Sequence, residues 1–226
     1  SHSDDNAVVV SAYGRVLLND AGIFTYSASD PYRQWGVTSR AHNTVVINDK
    51  DQVRSGNGPR TTGKVYDWST NSEFDFLSQS TPQNTGFEHR RTITYLKPDI
   101  WIVSDLMTPD SSNRNQANNY KQIWHMLPDA GLTTEEGKIY STYPSGANVI
   151  VASADKDAEI KEEMGWYDWS SQQVEEAKFA FMEKDAVTGQ ATFDSVIMAY
   201  DGTQADVSVE KLAESTAYTA LKLNIL

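Results

Sequence analysis

The feature that most constrains the fold is a long succession of short β-type runs separated by turn residues. Very few segments keep the helical spacing of about 3.6 residues. A chain of 226 residues with this pattern is long enough to bury one large core. The sequence therefore predicts an all-β protein, a large antiparallel β-sandwich that forms a single domain over residues 7–226.

The clearest predicted hairpin joins residues 87–96 to residues 100–107 through Lys97, Pro98 and Asp99. Proline fixes φ at such a turn, and aspartate can bond its own backbone. Apolar residues fall on both faces of the second run, which is typical of a strand in the middle of a sheet that is covered on both sides. Only residues 155–163 and 172–178 are expected to form short helices.

Charge and composition exclude several classes of function. The chain has 19 basic and 31 acidic residues and a net charge of -12, which argues against nucleic acid or an anionic membrane as a partner. It has no cysteine, so there is neither a disulfide framework nor a thiolate metal site. Residues 1–6 are expected to be a cloning remnant and a disordered start, and on that interpretation His2 has no functional role.

Residues 32–51 carry the side chains best suited to chemistry. A β-type run over residues 41–47 is predicted to point His42 to one face and Asn43 to the other. Histidine can act near neutral pH as a general base, a charge donor or a metal ligand. A structural histidine at the end of a strand, bonded to a neighbouring loop, is the alternative, and spacing does not decide between them.

The segment around His42 is a cationic island in an acidic chain. Residues 31–64 hold six basic residues and two acidic ones, whereas residues 1–30 hold one basic and four acidic. Arginine binds carboxylate and sulfate groups in a bidentate manner, so such an island suits an anionic ligand. Ordinary alternation of surface charge is the alternative. The basic members of the island are Arg33, Arg40, Lys50, Arg54, Arg60 and Lys64.

Two groups of aromatic residues are candidates for stacking on sugar rings. The first comprises Tyr32, Trp35, Tyr66 and Trp68. The second comprises Trp166, Tyr167 and Trp169, which are expected in a loop. Core packing explains either group equally well.

Several motifs together resemble a known family. They are R-V-L-L-N-D-A-G-I-F-T-Y (15–26), D-P-Y-R (30–33), S-R-A-H-N-T-V-V-I-N-D (39–49), H-R-R-T-I-T-Y-L-K-P-D-I-W-I-V-S-D (89–105) and I-W-H-M-L-P (123–128). In this order they resemble the heparinase II/III-like polysaccharide lyases.

The resemblance implies the C-terminal β-sandwich of an enzyme whose N-terminal part is an (α/α) toroid. Such enzymes cleave uronic-acid polysaccharides, such as heparan sulfate or alginate, by β-elimination. By the motif match the catalytic histidine is His42, with a role in carboxylate neutralisation or proton transfer. The residues expected to bind an anionic polysaccharide are Arg33, Trp35, Arg40, Asn43, Arg54 and Arg60.

The α/α toroid is absent from this sequence, so the chain alone is expected to lack lyase activity. The expected partners are an anionic polysaccharide and that toroid domain, and the expected location is periplasmic or secreted.

The resemblance also makes a structural zinc a candidate for this chain, because some relatives hold one through two histidines and an aspartate. One of those histidines lies two residues beyond the catalytic one, where this chain has Thr44. The remaining candidates are His89 and His125 with Asp67 or Asp75, and the alternative is that both histidines are structural.

Three functions remain open from the sequence. The leading one is the sandwich portion of a polysaccharide lyase. The second is a non-catalytic carbohydrate-binding module, and the third is a structural domain without a ligand.

Overall fold

The computed structural model describes residues 1–54, 63–170, 173–203, 206–215 and 218–225. Its strands are β1 (Val10–Ala12), β2 (Arg15–Leu18), β3 (Val45–Ile47), β4 (Lys64–Thr70), β5 (Phe74–Asn84), β6 (Phe87–Leu96), β7 (Ile100–Pro109), β8 (Ala117–Trp124), β9 (Thr133–Glu135), β10 (Lys138–Tyr140), β11 (Ala147–Ser153), β12 (Glu159–Asp168), β13 (Val174–Thr188), β14 (Ala191–Asp201), β15 (Val207–Glu214) and β16 (Thr219–Ile225). The α-helix α1 (Pro31–Gly36) and the 3-10 turns Ser39–Ala41 and Pro128–Ala130 are the helical elements in these ranges. None of the described helices is long and apolar enough to cross a bilayer.

The strands form the predicted antiparallel sandwich. One sheet has the order β4-β5-β6-β7-β14-β11-β10-β9, and the facing sheet has the order β12-β13-β8-β3. Two further hairpins, β1-β2 and β15-β16, lie outside these sheets. The predicted hairpin through Lys97–Asp99 is confirmed as β6-β7, whose register runs from Phe87 opposite Pro109 to Leu96 opposite Ile100.

The main core lies between the two sheets. Val103 and Phe193 of the larger sheet pack with Val45, Tyr120 and Trp124 of the smaller one, and all five side chains are buried. Period-2 alternation sends neighbouring side chains to the opposite face of each sheet. The apolar stretches of β11 and β14 are therefore nearly continuous because those strands are covered on both sides.

The hairpin β15-β16 covers the outer face of the large sheet, the face that points away from the smaller sheet. Val207 of the hairpin packs with Ile150 and Met198 on the outer face. Lys211 also ties the hairpin to the segment that follows β11, because its ammonium group lies 2.7 Å from a carboxylate oxygen of Asp155.

The two short helices predicted from the sequence are wrong. Residues 159–168 and 174–188 instead form β12 and β13, which pair from Glu159 opposite Glu183 to Asp168 opposite Val174. The expected helices overlap these strands at residues 159–163 and 174–178. In the structure the charged side chains of these segments lie on a sheet, and Lys178 pairs with Glu162 across the two strands.

The N-terminal residues differ from the disordered start expected of them. Ser3 is buried, and its backbone nitrogen donates to the carbonyl of Val37 at 2.9 Å. The carbonyl of Asp5 accepts the hydroxyl of Thr44 at 2.9 Å, and that of Asn6 accepts Arg91 at 2.8 Å. Residues 3–6 are thus packed against the sandwich, and they bring His2 close to the predicted site.

Candidate functional site

His42 lies at the end of a tight turn and not on a strand. Its backbone nitrogen donates to the carbonyl of Ser39 at 3.2 Å, and the nitrogen of Thr44 donates back to the carbonyl of His42 at 2.9 Å. Strand β3 begins only at Val45, so the predicted strand starts four residues too early. The alternation predicted for His42 and Asn43 therefore does not apply, and tertiary bonds fix their directions.

An aspartate fixes the orientation of the His42 ring. Nδ1 of His42 lies 2.5 Å from Oδ2 of Asp20, and Oδ1 of Asp20 accepts the backbone nitrogen of Gly22 at 2.8 Å. Burial alone would raise the pKa of Asp20, but the hydrogen bond from His42 and the amide of Gly22 hold it below its ordinary value. With Nδ1 donating to this carboxylate, neutral His42 keeps a lone pair on Nε2.

The other nitrogen of His42 is unusual. The side chain is completely buried, and within the described residues Nε2 has no hydrogen-bond partner. A buried polar atom without a partner costs free energy, so it commonly marks a functional position. The His2 ring is adjacent, with 5.3 Å between the two ring centroids.

Helix α1 positions Arg33 beside His2. Asp30 caps the helix by accepting the backbone nitrogen of Arg33 at 3.0 Å, and Pro31 occupies the first turn. The guanidinium of Arg33 then lies 2.8 Å from Nε2 of His2 and donates to the carbonyl of Ile23 at 3.2 Å. Burial, together with the nearby His42 and Arg33, lowers the pKa of His2, so this ring is neutral at pH 7.

An open depression of about 840 Å³ is lined by Asp20, the partner of His42, and by His2. Its walls come from residues 1–4, from the loop at 19–23 and from residues 167–170, which comprise the end of β12 and the two residues after it. Gly22 has a φ of +105° and lies so close to Asp168 that a Cβ would approach its carbonyl oxygen to 2.8 Å. A glycine is required there, because it lets the loop contact the end of β12.

Two aromatic side chains form one wall of this depression. Tyr167 and Trp169 pack edge to face with 5.0 Å between ring centroids. The hydroxyl of Tyr167 accepts the side-chain amide of Asn19 at 2.7 Å, whereas Trp169 is 43% exposed. The loop predicted for this aromatic group is wrong for Trp166 and Tyr167, which are on β12. Trp166 packs against Tyr32, with 4.9 Å between the ring centroids.

The expected basic wall around His42 is not what the structure shows. Asp4, Asp20 and Asp168 line the depression, and no lysine or arginine is among its described lining residues. Arg40 pairs with Glu163 instead. Arg33 is the predicted arginine that the fold brings to this site, through His2.

Two of the predicted substrate-binding residues are packing residues. Asn43 is buried, donates to the carbonyls of Val8 and Asn19 at 2.9 and 3.0 Å, and accepts the backbone nitrogen of His125 at 2.6 Å. Its amide is used entirely within the protein and cross-links three segments.

Trp35 is the other packing residue. It contacts Phe24, His125 and Phe179, with ring centroids 6.1, 6.1 and 6.5 Å away. A Cβ on Gly165 would come within 2.3 Å of the Trp35 ring, so the indole packs directly against β12 at this glycine.

The remaining predicted residues lie away from these contacts. Arg54 is half-buried at the end of a described segment, and Arg60 lies outside the described residues. Tyr66 and Trp68 are on β4, the edge strand of the larger sheet, whereas His42 precedes β3 of the smaller one.

The predicted metal ligands do not come together. His89 bonds to Asp105 at 2.7 Å, and Nε2 of His125 lies 2.7 Å from the carbonyl of Arg40, while Asp67 is on the exposed edge strand β4. Burial lowers the pKa of His125 to about 4, which keeps it neutral. Of the described residues, the histidine and carboxylate side chains close enough to share a metal ion are His2, Asp4 and His42.

Arg91 is a positioning residue that sequence reasoning missed. It makes two 2.7 Å bonds to the carboxylate of buried Asp105, and its third nitrogen donates to the carbonyl of Asn43 at 2.7 Å. Burial would raise the pKa of Asp105, but Arg91 and His89 hold it well below its usual range. The fixed ion pair therefore anchors the backbone directly after His42. The motif at residues 89–105 contained this signal, since it carries His89, Arg91 and Asp105 together.

Comparison with known proteins places these features in a family context. The family model described as heparinase II/III-like, C-terminal, matches residues 1–204. No curated protein matches the chain.

Three solved structures share the fold over essentially the whole chain. The heparan sulfate lyase HepC from Pedobacter heparinus has a TM-score of 0.85 and 21% identity, covering 100% of this chain and 35% of that one. A heparinase III gene product has a TM-score of 0.84 and 13% identity, covering 99% and 35%. A further heparinase III has a TM-score of 0.80 and 14% identity, covering 100% and 36%. The chain therefore spans about a third of the length of these lyases.

Proposed function

The chain belongs to the heparinase II/III-like C-terminal domain family, and on that premise we propose that it is the β-sandwich part of a polysaccharide lyase. The enzyme would cleave uronic-acid polysaccharides by β-elimination. The observation that carries the proposal is the Asp20–His42 pair: Asp20 lines an open depression, and Nε2 of His42 has no hydrogen-bond partner among the described residues.

β-Elimination makes three demands on an active site. The negative charge that develops on the uronate carboxylate must be stabilised, the proton at C5 must be removed, and the leaving O4 oxygen must be protonated. In this chain, His42 can meet one of these demands. An N-terminal α/α domain would meet the others, so the cleft would form between the two domains.

The role of His42 follows from the hydrogen bond at Nδ1. Asp20 holds the ring in the tautomer that presents the Nε2 lone pair, and its negative charge stabilises the protonated ring. Neutral His42 can therefore accept a proton, and protonated His42 can neutralise a substrate carboxylate. Asp20 acts through His42 and is a positioning residue.

The test uses the full-length lyase that contains this chain. Formation of unsaturated uronide is followed by its ultraviolet absorbance for the native enzyme and for His42→Gln. Loss of about 10²–10⁴-fold in kcat is expected for His42→Gln, because one acid–base or charge partner is removed. The isolated 226-residue chain is expected to be inactive. Full activity of His42→Gln, or turnover by the isolated chain, would contradict the proposal.

A non-catalytic carbohydrate-binding module is the second candidate, and the exposed Trp169 favours it. Its ring lies beside Tyr167 on the rim of the depression, where a sugar face could stack. Glycan binding by the isolated chain that is lost in Trp169→Ala, together with a full-length enzyme that tolerates His42→Gln, would favour this function.

The partner and the location belong to the same proposal. The wall that this chain contributes to the depression is acidic. The second domain would therefore supply the positive charge that holds an anionic polysaccharide there. Polymers of this kind are extracellular, so a periplasmic or secreted location is proposed, to be checked by cell fractionation.

A further inference from the structure

A groove opens between the outer face of the large sheet and one end of the hairpin β15-β16. Strands β5, β6, β7 and β14 form its floor, and the end of β15, Tyr218 and the start of β16 form its wall. Its volume of about 760 Å³ lies within the range of small-molecule sites, about 300–1,000 Å³. Among the described residues, none lines both this groove and the depression beside Asp20.

The carboxylates that line the groove are engaged within the protein. Asp194 lies 2.7 Å from Nζ of Lys211, and Glu214 lies 3.4 Å from the same nitrogen. The third carboxylate, that of Asp105, is bonded to Arg91. Each of them therefore has a cationic partner that belongs to the chain itself.

Arg90 is the basic residue among the described lining residues, and part of its guanidinium is left over. Nε donates to the hydroxyl of Ser78 at 2.9 Å, and the guanidinium carbon lies 4.1 Å from the centroid of the Tyr66 ring. These two contacts fix the direction of the guanidinium. Within the described residues its two terminal nitrogens have no hydrogen-bond partner, and such a pair of donors binds a carboxylate or sulfate group in a bidentate manner.

The other lining side chains suit a sugar ring. Thr92 and Thr94 place hydroxyl groups on the floor, and a hydroxyl can both donate to and accept from the hydroxyls of a sugar. Tyr218 on the wall is 62% exposed, and Phe76 on the floor is partly buried. Flat aromatic faces of this kind stack on the apolar face of a sugar. The groove therefore offers polar and apolar contacts together with one unused positive group.

We propose that this groove binds an acidic oligosaccharide, with Arg90 holding a uronate carboxylate or a sulfate and Tyr218 stacking on a sugar ring. The site takes no part in bond cleavage and retains a polymer chain on the protein. Its wall comes from residues beyond 204, where the family match ends. The inference stands on the side chains of the groove and not on the Asp20–His42 pair.

The test is calorimetric titration of the chain with tetrasaccharides prepared from alginate and from heparan sulfate, and with uncharged maltotetraose. We expect the acidic tetrasaccharides to bind about tenfold or more tightly than maltotetraose, and Arg90→Gln to remove this preference. Arg90→Lys keeps the charge but not the pair of donors, so it should retain part of the preference. Tyr218→Ala should weaken the binding of acidic tetrasaccharides by about two- to tenfold.

Exposed charged residues elsewhere give matched controls. Arg114→Gln removes the same charge from the loop between β7 and β8, and Asp201→Asn changes an exposed carboxylate at the end of β14. Both variants should bind as the native chain does. Trp169→Ala alters the rim of the depression and should leave the Arg90-dependent part of the binding in place.

Backbone amide chemical shifts of the labelled native chain locate the bound sugar without any substitution. We expect changes at Thr92, Thr94 and Tyr218, and thermal unfolding establishes that each variant is folded. Three results would overturn the proposal: no binding of the acidic tetrasaccharides, equal affinity for maltotetraose, or an affinity that Arg90→Gln leaves unchanged. None of them would affect the lyase proposal, whose test is the activity of the full-length His42→Gln enzyme.

Discussion

Nδ1 of His42 lies 2.5 Å from Oδ2 of Asp20, and this contact joins a turn before β3 to the loop that follows β2. The partners are 22 residues apart in sequence. Asp20 is partly exposed in the wall of the depression and His42 is buried behind it. The pair therefore connects the open surface to a buried nitrogen, and it is the basis of the proposed lyase function.

Replacing Asp20 by asparagine should lower the activity of the full-length lyase while the fold persists. The amide is nearly isosteric, but it supplies no negative charge to stabilise a protonated His42 and can hold the wrong tautomer. We expect kcat to fall by about 10–10³-fold, less than for removal of His42 itself. The measurement is kcat for unsaturated uronide, with Asp201→Asn as the control. An unchanged kcat would mean that the hydrogen bond to Asp20 has no role in the reaction.

The two tryptophans Trp35 and Trp169 should respond in opposite ways to substitution by alanine. Trp35 packs against Phe24, His125 and Phe179, so Trp35→Ala should lower the free energy of unfolding by about 2–4 kcal/mol. Trp169 is exposed at the rim, so Trp169→Ala should leave stability nearly unchanged and weaken glycan binding.

Urea unfolding and glycan titration of the two variants form a matched pair. A stable Trp35→Ala protein with reduced glycan affinity would show that Trp35 is a sugar-stacking residue after all.

The buried ion pair between Arg91 and Asp105 should be essential for stability. Asp105→Asn removes the charge that compensates Arg91, and breaking one partner of a buried pair typically costs about 3–5 kcal/mol. Because Arg91 also holds the carbonyl of Asn43, the same change should loosen the His42 turn. Urea unfolding measures the first effect, and hydrogen exchange of residues 42–45 measures the second.

Asp75→Asn is the control for Asp105→Asn. It breaks an exposed ion pair with Lys97 and should change the unfolding free energy far less. Equal losses in the two variants would contradict the importance assigned to the buried pair.

Stability should decrease as the pH falls from about 6.5 to 4, and His125 should be a main cause. Burial lowers the pKa of its ring from 6.5 to about 4, so in this range the unfolded chain binds a proton that the folded chain does not. Stability therefore rises with pH through the window. At about 1.4 kcal/mol for each pH unit, the effect over this window is about 3–4 kcal/mol.

His125→Gln is the variant that checks this. It should be less stable at pH 7, because the stack on Phe179 at 4.7 Å is lost. Its unfolding free energy should nevertheless fall less between pH 7 and pH 4.5 than that of the native chain. Parallel pH profiles for the two proteins would contradict the assignment. Asp105 contributes in a different window: its pKa is depressed, so its stabilisation is present above about pH 4 and is lost only below it.

The sequence singled out His42 as the centre of interest, which stays a prediction, but it did not show the partners of His42. Asp20 lies within a quoted motif, yet nothing in the spacing shows that it bonds to a residue 22 positions away. Asn43 and Trp35 were chosen for their chemistry, which suits a ligand and a core equally well. Only their neighbours, Val8 and Phe179 among them, show that these side chains are used inside the protein.

The sequence alone determined the antiparallel sandwich, the β6-β7 hairpin and the family, because alternation, turn residues and contiguous motifs are local properties. Tertiary structure decided which faces are covered, that residues 159–168 form β12 and not a helix, and that the wall around His42 is acidic. These features depend on contacts between segments distant in the chain, and no local pattern encodes them. The meeting of His2, Asp4, Asp20 and His42 is of this kind, since three separate segments supply the four side chains.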